Sequence, residues 1–273
     1  MLSLGERESA AHELLAIAHD AAKLVLAGWR KGVEVEHKGV IDLVTRFDRA
    51  SEEVIRERLA RALPGCDVVA EEAGGLARGD RPVVYADPLD GTTNYAHGHP
   101  FFCVTLALMD GPDVLAGVVV APALGVEYLA VLGAGARRNS ERCRVSSSAA
   151  LSQSLLATGF PYDNRTDPEN NLREFAALTL QSRGVRRCGS AALDLCLTAD
   201  GTYDAYWERK LKPWDLAAGV LAVSEARGTV TDLDGGPVDV LAGAVVASNG
   251  RLHPALLAAL AQARLRPPFL PEG

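Results

Sequence analysis

Positive charge is in deficit in this chain: 28 Lys and Arg against 35 Asp and Glu leave a formal net charge of −7 over 273 residues. A field of that sign gives no electrostatic basis for nonspecific binding to nucleic acid or to an anionic membrane surface, and a phosphate-bearing ligand would need local compensation by bound cations. Cysteine is scarce and unpatterned. Cys66, Cys103, Cys143, Cys188 and Cys196 show no CxxC spacing, and their odd number excludes a complete disulfide framework, so they read as reduced, mostly core thiols. No apolar run approaches the roughly 20 residues that span a bilayer. The opening residues, Met1 to Glu8, lack the basic-then-apolar order of a signal peptide, so the expectation is a cytoplasmic protein with no membrane partner and no direct nucleic-acid partner. Linkers, low-complexity blocks and internal repeats are also missing.

What is present is ordinary globular composition, 48% hydrophobic and 23% charged, and enough chain to bury a full core. The reading is one compact domain over 1–273 with two subregions, about 1–143 and about 144–273; Gly133 to Ala136 is the nearest thing to a seam. Apolar residues at helical spacing (Ala11, Leu14, Leu15, Ile17, Ala18, Ala21, Leu24, Val25) predict a long helix over 6–30, and a second follows from about Asp48 to Leu63, before Pro64-Gly65. Strands are predicted at 68–70, 83–86, 103–109, 114–120 and 126–131, and their short connections imply an antiparallel sheet. Beyond Arg144 helices are predicted near 168–181, 189–199, 214–226 and 252–264, between shorter strands. Helices and sheets therefore lie in layers.

The richest stretch is Asp87-Pro88-Leu89-Asp90-Gly91-Thr92-Thr93-Asn94. Asp87 should stand at the carboxyl end of the Val83–Ala86 strand, where side chains converge on ligands, with Pro88 ending the ladder. Gly91 permits close backbone approach, and Thr92, Thr93 and Asn94 are N-cap types that can begin a short helix facing an anion. A lone Asp-Gly pair is usually only a turn. Here two hard carboxylates and several anion donors fall within eight residues.

Other acids are placed similarly. Glu71-Glu72 ends the strand at 68–70 and precedes Gly74-Gly75, Asp215 follows Pro213-Trp214 at a helix start, and Asp48 closes Asp42-Leu43-Val44-Thr45-Arg46-Phe47 near another helix start. Two carboxylates about 4 Å apart at an effective dielectric near 20 repel by about 4 kcal/mol, so a cluster must bind protons or cations. Oxygen-only donors favour Mg²⁺, Mn²⁺ or Ca²⁺ over zinc. The bland alternatives are an N-capping role for Asp215 and solvated charges at Asp48 and Glu72. His97 and His99 lack a third zinc ligand nearby and fit an orienting role in a loop.

Together, Asp42 to Asp48, Glu71-Glu72, Asp87 to Asn94, Gly189-Ser190-Ala191-Ala192 and Trp214 to Gly219 resemble the inositol monophosphatase family of metal-dependent, lithium-sensitive sugar and nucleotide phosphatases. The resemblance spans nearly the whole chain. It implies an α+β fold, the layered αβαβα sandwich of the inositol monophosphatase and fructose-1,6-bisphosphatase type, usually a homodimer, with the first subregion as the metal-binding half. By position it implies that Glu71, Asp87 and the Leu89 carbonyl bind one Mg²⁺ beside Thr92, that Asp87, Asp90 and Asp215 bind a second, and that a weaker third site lies beside Glu71. Mn²⁺ is a possible substitute. Glu71, Thr92 and Asp48 take catalytic roles, Gly91 and Thr92 bind phosphate, Asp90, Ala191 and Glu208 contact sugar hydroxyls, and Lys38 lies at the site's edge.

The activity implied is hydrolysis of a small polyol phosphate monoester, foremost myo-inositol monophosphate, by metal-activated water. Fructose-1,6-bisphosphatase, histidinol-phosphatase and nucleotide-bisphosphatase activities remain alternatives, although nucleotide members typically carry lysine where this chain has Thr93. Arg165, Arg173, Arg183, Arg186, Arg187, Lys210 and Lys212 make the later half locally basic, for surface or interface pairing or for a second phosphate. A different class of function, a regulatory protein binding the transcription machinery, also occurs among bacterial relatives of this family.

Overall fold

The computed structural model describes residues 2–31, 35–37 and 43–267. Its first layer is helical. α1 (Leu4–Gly28) starts at Ser3, whose backbone N–H donates to the Glu6 carboxylate at 2.7 Å in a capping box, and buries the face carrying Ala11, Leu14, Ile17, Ala18, Ala21 and Val25. α2 (Arg46–Ala62) lies against it, preceded by the antiparallel pair β1 (Val35–His37) and β2 (Leu43–Thr45).

The second layer is a seven-stranded sheet in the order β3 (Asp67–Ala70), β4 (Val83–Asp90), β5 (Cys103–Asp110), β6 (Asp113–Ala121), β7 (Val126–Val131), β8 (Gly135–Arg138) and β9 (Glu141–Arg142). Its strands alternate with period two. Val84, Ala86, Val104, Leu106, Leu108, Val118 and Val120 pack under α1 and α2, while Val83, Tyr85, Ala107, Val119, Tyr128 and Ala130 face the opposite layer. From β4 onward the sheet is antiparallel, as expected, but β3 runs parallel to β4. The Gly133 to Ala136 stretch is the turn of the β7–β8 hairpin and the start of β8.

A central layer follows: α5 (Ala191–Ala199) and α6 (Pro213–Glu225) pack on each other and on the seven-stranded sheet. Their small and apolar side chains, among them Ala192, Leu195, Leu216, Ala217 and Leu221, fill one continuous core with that sheet and with Tyr206 and Val245 of the next. The fourth layer is a five-stranded sheet in the order β11 (Gly184–Arg186), β10 (Leu155–Thr158), β12 (Ala205–Glu208), β14 (Val245–Ser248) and β13 (Thr229–Thr231). α4 (Leu172–Thr179), shorter than the predicted 168–181, and α7 (His253–Arg264) cover its outer face over Leu156, Trp207 and Val246. α3 (Thr92–Ala96) is a single short turn between β4 and β5. The architecture is the αβαβα sandwich that the resemblance implied, and among the described residues no helix is long and apolar enough to cross a membrane.

Candidate active site

The parallel pairing of β3 with β4 brings the first acids together. Ala70 is in register with Ala86, and the Glu71 N–H donates to the Ala86 carbonyl at 3.2 Å, so Glu71 leaves β3 beside Asp87 on β4. The turn that follows is held from α2: buried Glu52 accepts the N–H groups of Glu72 at 2.9 Å and Ala73 at 3.0 Å, and also pairs with Arg56 at 2.7 Å.

Pro88 does not end β4. The strand runs through it to Asp90 by a bulge, in which Asp87 faces Thr105 and Asp90 faces Cys103, so Pro88 and Leu89 stand against Val104 alone. Pro88 is tolerated because a bulged residue needs no ladder N–H. Its carbonyl instead accepts from Ser51 of α2 at 2.9 Å, and the Leu89 N–H donates to Asp87 Oδ1 at 2.8 Å. The bulge lets Asp87, Leu89 and Asp90 present a carboxyl, a carbonyl and a carboxyl within four residues.

Gly91 then turns the chain at φ +93°, and a Cβ there would stand 2.9 Å from the Phe101 carbonyl. Only glycine meets both conditions without strain. Gly91 is therefore the N-cap of α3, with Thr92 to Ala96 inside the helix rather than capping it. Tyr95 anchors this turn, donating to the Val25 carbonyl at 2.8 Å and stacking edge-on against Phe102. Asn94 donates to the Phe101 and Cys188 carbonyls at 2.7 and 2.8 Å, tying α3 to the segment before α5. Thr92 Oγ1 sits 3.0 Å from both Asp48 Oδ1 and the Leu89 carbonyl. Asp48 is no solvated charge: it is 1% exposed at the third position of α2 and accepts from the Thr45 N–H at 2.8 Å and hydroxyl at 2.5 Å. His99 takes the orienting role expected in a loop, with Nδ1 3.4 Å from the Phe101 N–H.

The central helices supply the other wall. Asp90 Oδ2 accepts from the Ser190 hydroxyl at 2.6 Å and the Ala192 N–H at 3.1 Å, which joins β4 to the first turn of α5, where Ala191 lies. Asp215 stands at the third position of α6 and accepts the Lys212 N–H at 2.7 Å, so it closes its own helix start but is not the N-cap. Glu208 ends β12, buried, with the Tyr206 hydroxyl donating to it.

These acids share one electrostatic neighbourhood. Burial pushes the Asp87 carboxyl well above the usual range, and the charges of Glu71, Asp90 and Asp215 push it further. Asp215 is raised well above its range by burial and by Asp90. Asp90 is pushed up to about 6 by burial, against the pull of its bonds from Ser190 and Ala192. Glu208 rises to about 7, also through burial. Asp48 is raised by burial too, opposed by Thr45 and Thr92. A positive charge at the site would offset the cost of burial and the mutual repulsion alike.

The donor set fits a hard dication. It offers carboxylate and carbonyl oxygens, its buried acids repel one another when ionised, and the buried Thr105 hydroxyl across from Asp87 meets no partner. Among the described residues, as they stand, no three acidic, histidine or cysteine side chains lie close enough together to hold a metal ion.

The expected residues thus fall around one place: Asp48, Glu71, Asp87, Leu89, Asp90, Gly91, Thr92 and Asp215, with Ala191 and Glu208 on the far wall. Lys38 and Asp42 lie outside the described residues. Sequence reading missed Asp194, a buried acid on α5 whose Oδ1 meets no partner and whose carboxyl is held well above the usual range by burial and by Glu208. A lone acid inside the otherwise apolar Ala191 to Leu197 run was the available signal. Asn171, Glu52 and Ser51 were missed as well, since their roles depend on contacts far away in sequence. Of the basic residues in the later half, Lys210 pairs with Asp163 and Asp167 at 2.7 and 2.8 Å, and Arg173 donates to the Arg264 carbonyl at 3.1 Å. All five cysteines are free thiols, three of them buried.

The Inositol monophosphatase family model matches residues 6–265. The chain is 44% identical over 235 residues to an inositol-1-monophosphatase of Synechocystis, covering 85% of this chain and 82% of that one. It is 42% identical over 230 residues to the Nus factor SuhB of Pseudomonas aeruginosa, covering 82% and 85%. Among solved structures, an inositol monophosphatase from Anabaena superposes with a TM-score of 0.87 at 39% identity, over 96% of this chain and 98% of that one. Motif order, layered architecture and relatives agree, and the chain belongs to the inositol monophosphatase family of phosphoric monoester hydrolases.

Proposed function

We propose that the chain hydrolyses the phosphate monoester of a small polyol, foremost myo-inositol monophosphate, with Mg²⁺ as its cofactor. The observation that carries this reading is where the chain sets four acids: Glu71 as it leaves β3 beside Asp87, Asp87 and Asp90 at the bulged end of β4, and Asp215 in the first turn of α6, near enough that their charges raise the Asp87 carboxyl. Glu71, Asp87, the Leu89 carbonyl, Asp90 and Asp215 would hold the metal ions, two with a weaker third, and Mn²⁺ is a possible replacement. When bound, such ions lower the pKa of water and neutralise charge on phosphoryl oxygens.

The chain's own groups have separate tasks. Thr92 Oγ1 accepts a proton only as it passes its own to Asp48 Oδ1, 3.0 Å away, so the pair forms a short relay. Glu71 is a second proton acceptor beside it. The Gly91 and Thr92 amides, at the turn out of β4, orient the phosphoryl group. Asp90, Ala191 and Glu208 meet the alcohol portion, Asp90 being held for this by Ser190 and Ala192. A carboxylate accepts from two vicinal hydroxyls at once, which suits a polyol. No covalent intermediate is required. The same reading includes a homodimer.

A bisphosphate substrate would call on Arg187, whose charge reaches Glu208, rather than on Lys210, which is already committed to Asp163 and Asp167. The second reading is a binding role in transcription, favoured by the name Nus factor carried by the 42% identical relative. Phosphate release by the purified protein from a panel of phosphomonoesters, with and without Mg²⁺, separates the two. Mg²⁺-dependent turnover preferring inositol phosphate supports the first reading, and none on any ester overturns it.

A further inference from the structure

The position of Glu208 is set by a glycine that lies outside the acidic cluster. β10 and β12 run parallel with Thr158 in register with Trp207, so Gly159, one residue past the end of β10, lies beside Glu208. A Cβ built on Gly159 would be 2.2 Å from both Glu208 Oε1 and Oε2. The carboxylate therefore lies directly against bare backbone. From its other side it accepts the Tyr206 hydroxyl, and Tyr206 is fully buried.

The backbone beneath the carboxylate is itself clamped. Asn171, buried at the N-cap of α4 with φ +67°, donates to the Gly159 carbonyl at 2.7 Å, lies 2.7 Å from Thr158 Oγ1, and accepts the Trp207 indole N–H at 2.7 Å. Thr158 Oγ1 also lies 2.5 Å from the Trp207 carbonyl. One amide side chain thus spans the two strand ends that meet at Glu208. Each of its bonds is buried, so loosening it leaves unpaired groups and is opposed.

Given the reading that Glu208 meets the substrate's alcohol portion, we propose that Gly159 is a specificity-determining residue: its missing side chain makes the room in which the Glu208 carboxylate is seated, and Asn171 is the positioning residue that holds this seat. A larger residue at 159 drives the acid off its seat. An acid displaced by an ångström or more forfeits its hydrogen bonds to a polyol but touches nothing on an ester whose leaving group carries no hydroxyls.

Gly159→Ala is a clean probe because the backbone there is not in the left-handed region and the three nearest atoms that its Cβ would meet all belong to the Glu208 carboxyl group, the far end of one side chain. In the full-length protein with Mg²⁺, kcat/KM for myo-inositol 1-phosphate should fall about tenfold, mainly through KM, and that for p-nitrophenyl phosphate by less than about threefold. In a Glu208→Ala background the same substitution should change neither substrate further. A purely structural role would instead lower both substrates together along with Tm. Should Gly159→Ala leave the ratio between the two esters unchanged while Glu208→Ala shifts it, the proposal for Gly159 is overturned and the reading of Glu208 stands. Should Glu208→Ala leave the ratio unchanged, the reading itself fails, and the proposal with it. If Gly159→Ala folds poorly alone but normally beside Glu208→Ala, the seat is confirmed as the space that Glu208 occupies.

Discussion

Thr92 and Asp48 are joined by a 3.0 Å contact between hydroxyl and carboxylate across 44 residues of sequence. The same Asp48 accepts both the N–H and the hydroxyl of Thr45, so its second oxygen is fixed and only Oδ1 is left for Thr92. α2 is therefore capped and the relay oriented by one side chain. Thr92→Val keeps the shape and removes the hydroxyl. It is expected to lower kcat by about 10²- to 10³-fold with little change in KM, as measured by steady-state kinetics on any accepted ester. Asp48→Ala should add a loss of stability of about 1–3 kcal/mol, because the Thr45 cap loses its acceptor. A Thr92→Val enzyme with normal kcat would remove Thr92 from the relay.

Asp90 is held differently, by the Ser190 hydroxyl and the Ala192 N–H on the same oxygen. Asp90→Asn can keep that oxygen in place and present its amide nitrogen where Oδ1 stood, so the fold should survive while one anionic ligand is lost. Turnover is expected to drop by about 10³-fold or more. Independently of activity, saturating Mg²⁺ should raise Tm in the unaltered protein and raise it much less in the variant, since a ligand stabilises only the state that binds it. Equal Mg²⁺-induced shifts, read by differential scanning calorimetry, would exclude Asp90 as a ligand.

Much of this was legible beforehand. The continuous apolar runs at Val83 to Ala86 and Cys103 to Met109 and the helical spacing of Ala11 to Val25 describe the observed elements closely, because those strands are buried on both faces and the helix on one. The acids were legible because they end strands or start helices. What misled was local chemistry taken alone. Pro88 suggested a strand end, but a bulge removes the demand for its missing N–H. The 71–82 connection contains no helix, so nothing in it announced the crossover that makes β3 and β4 parallel. Asn171 and Gly159 were illegible as site residues because their roles exist only after β10, β12 and α4 have met.

Arg209, next to Glu208, tests how the far wall is anchored. It is 5% exposed and donates to Glu174 at 2.7 Å, while Glu174 is 1% exposed and its Oε2 meets no partner. Removing one member strands the other charge out of water. Arg209→Met is expected to cost about 3–5 kcal/mol in denaturant unfolding, and adding Glu174→Leu should recover most of that loss. Additive costs in the double variant would mean that the two groups do not act as a pair.

Glu208 makes stability depend on pH in a direction opposite to that of a surface-paired acid. Its carboxyl ionises at about 4.5 in the unfolded chain and at about 7 in the folded one, because burial disfavours the charge more than the Tyr206 bond favours it. Below the lower value both states are protonated and Glu208 adds no slope. Between the two the folded state keeps a proton that the unfolded chain has released, so stability is fully present at the acid end and is lost as pH rises toward 7, after which the slope ends. The whole loss is on the order of 3 kcal/mol, since each tenfold difference in proton affinity between the two states is worth ~1.4 kcal/mol. Glu208→Gln stays neutral and removes the dependence. With chelator present to keep metal from the other acids, the Tm of the variant minus that of the unaltered protein should therefore be larger at pH 8 than at pH 5, by roughly 5–10 °C for a chain of this size. A difference that stays constant, or one that shrinks as pH rises, would show that Glu208 is already ionised in the folded protein at pH 5.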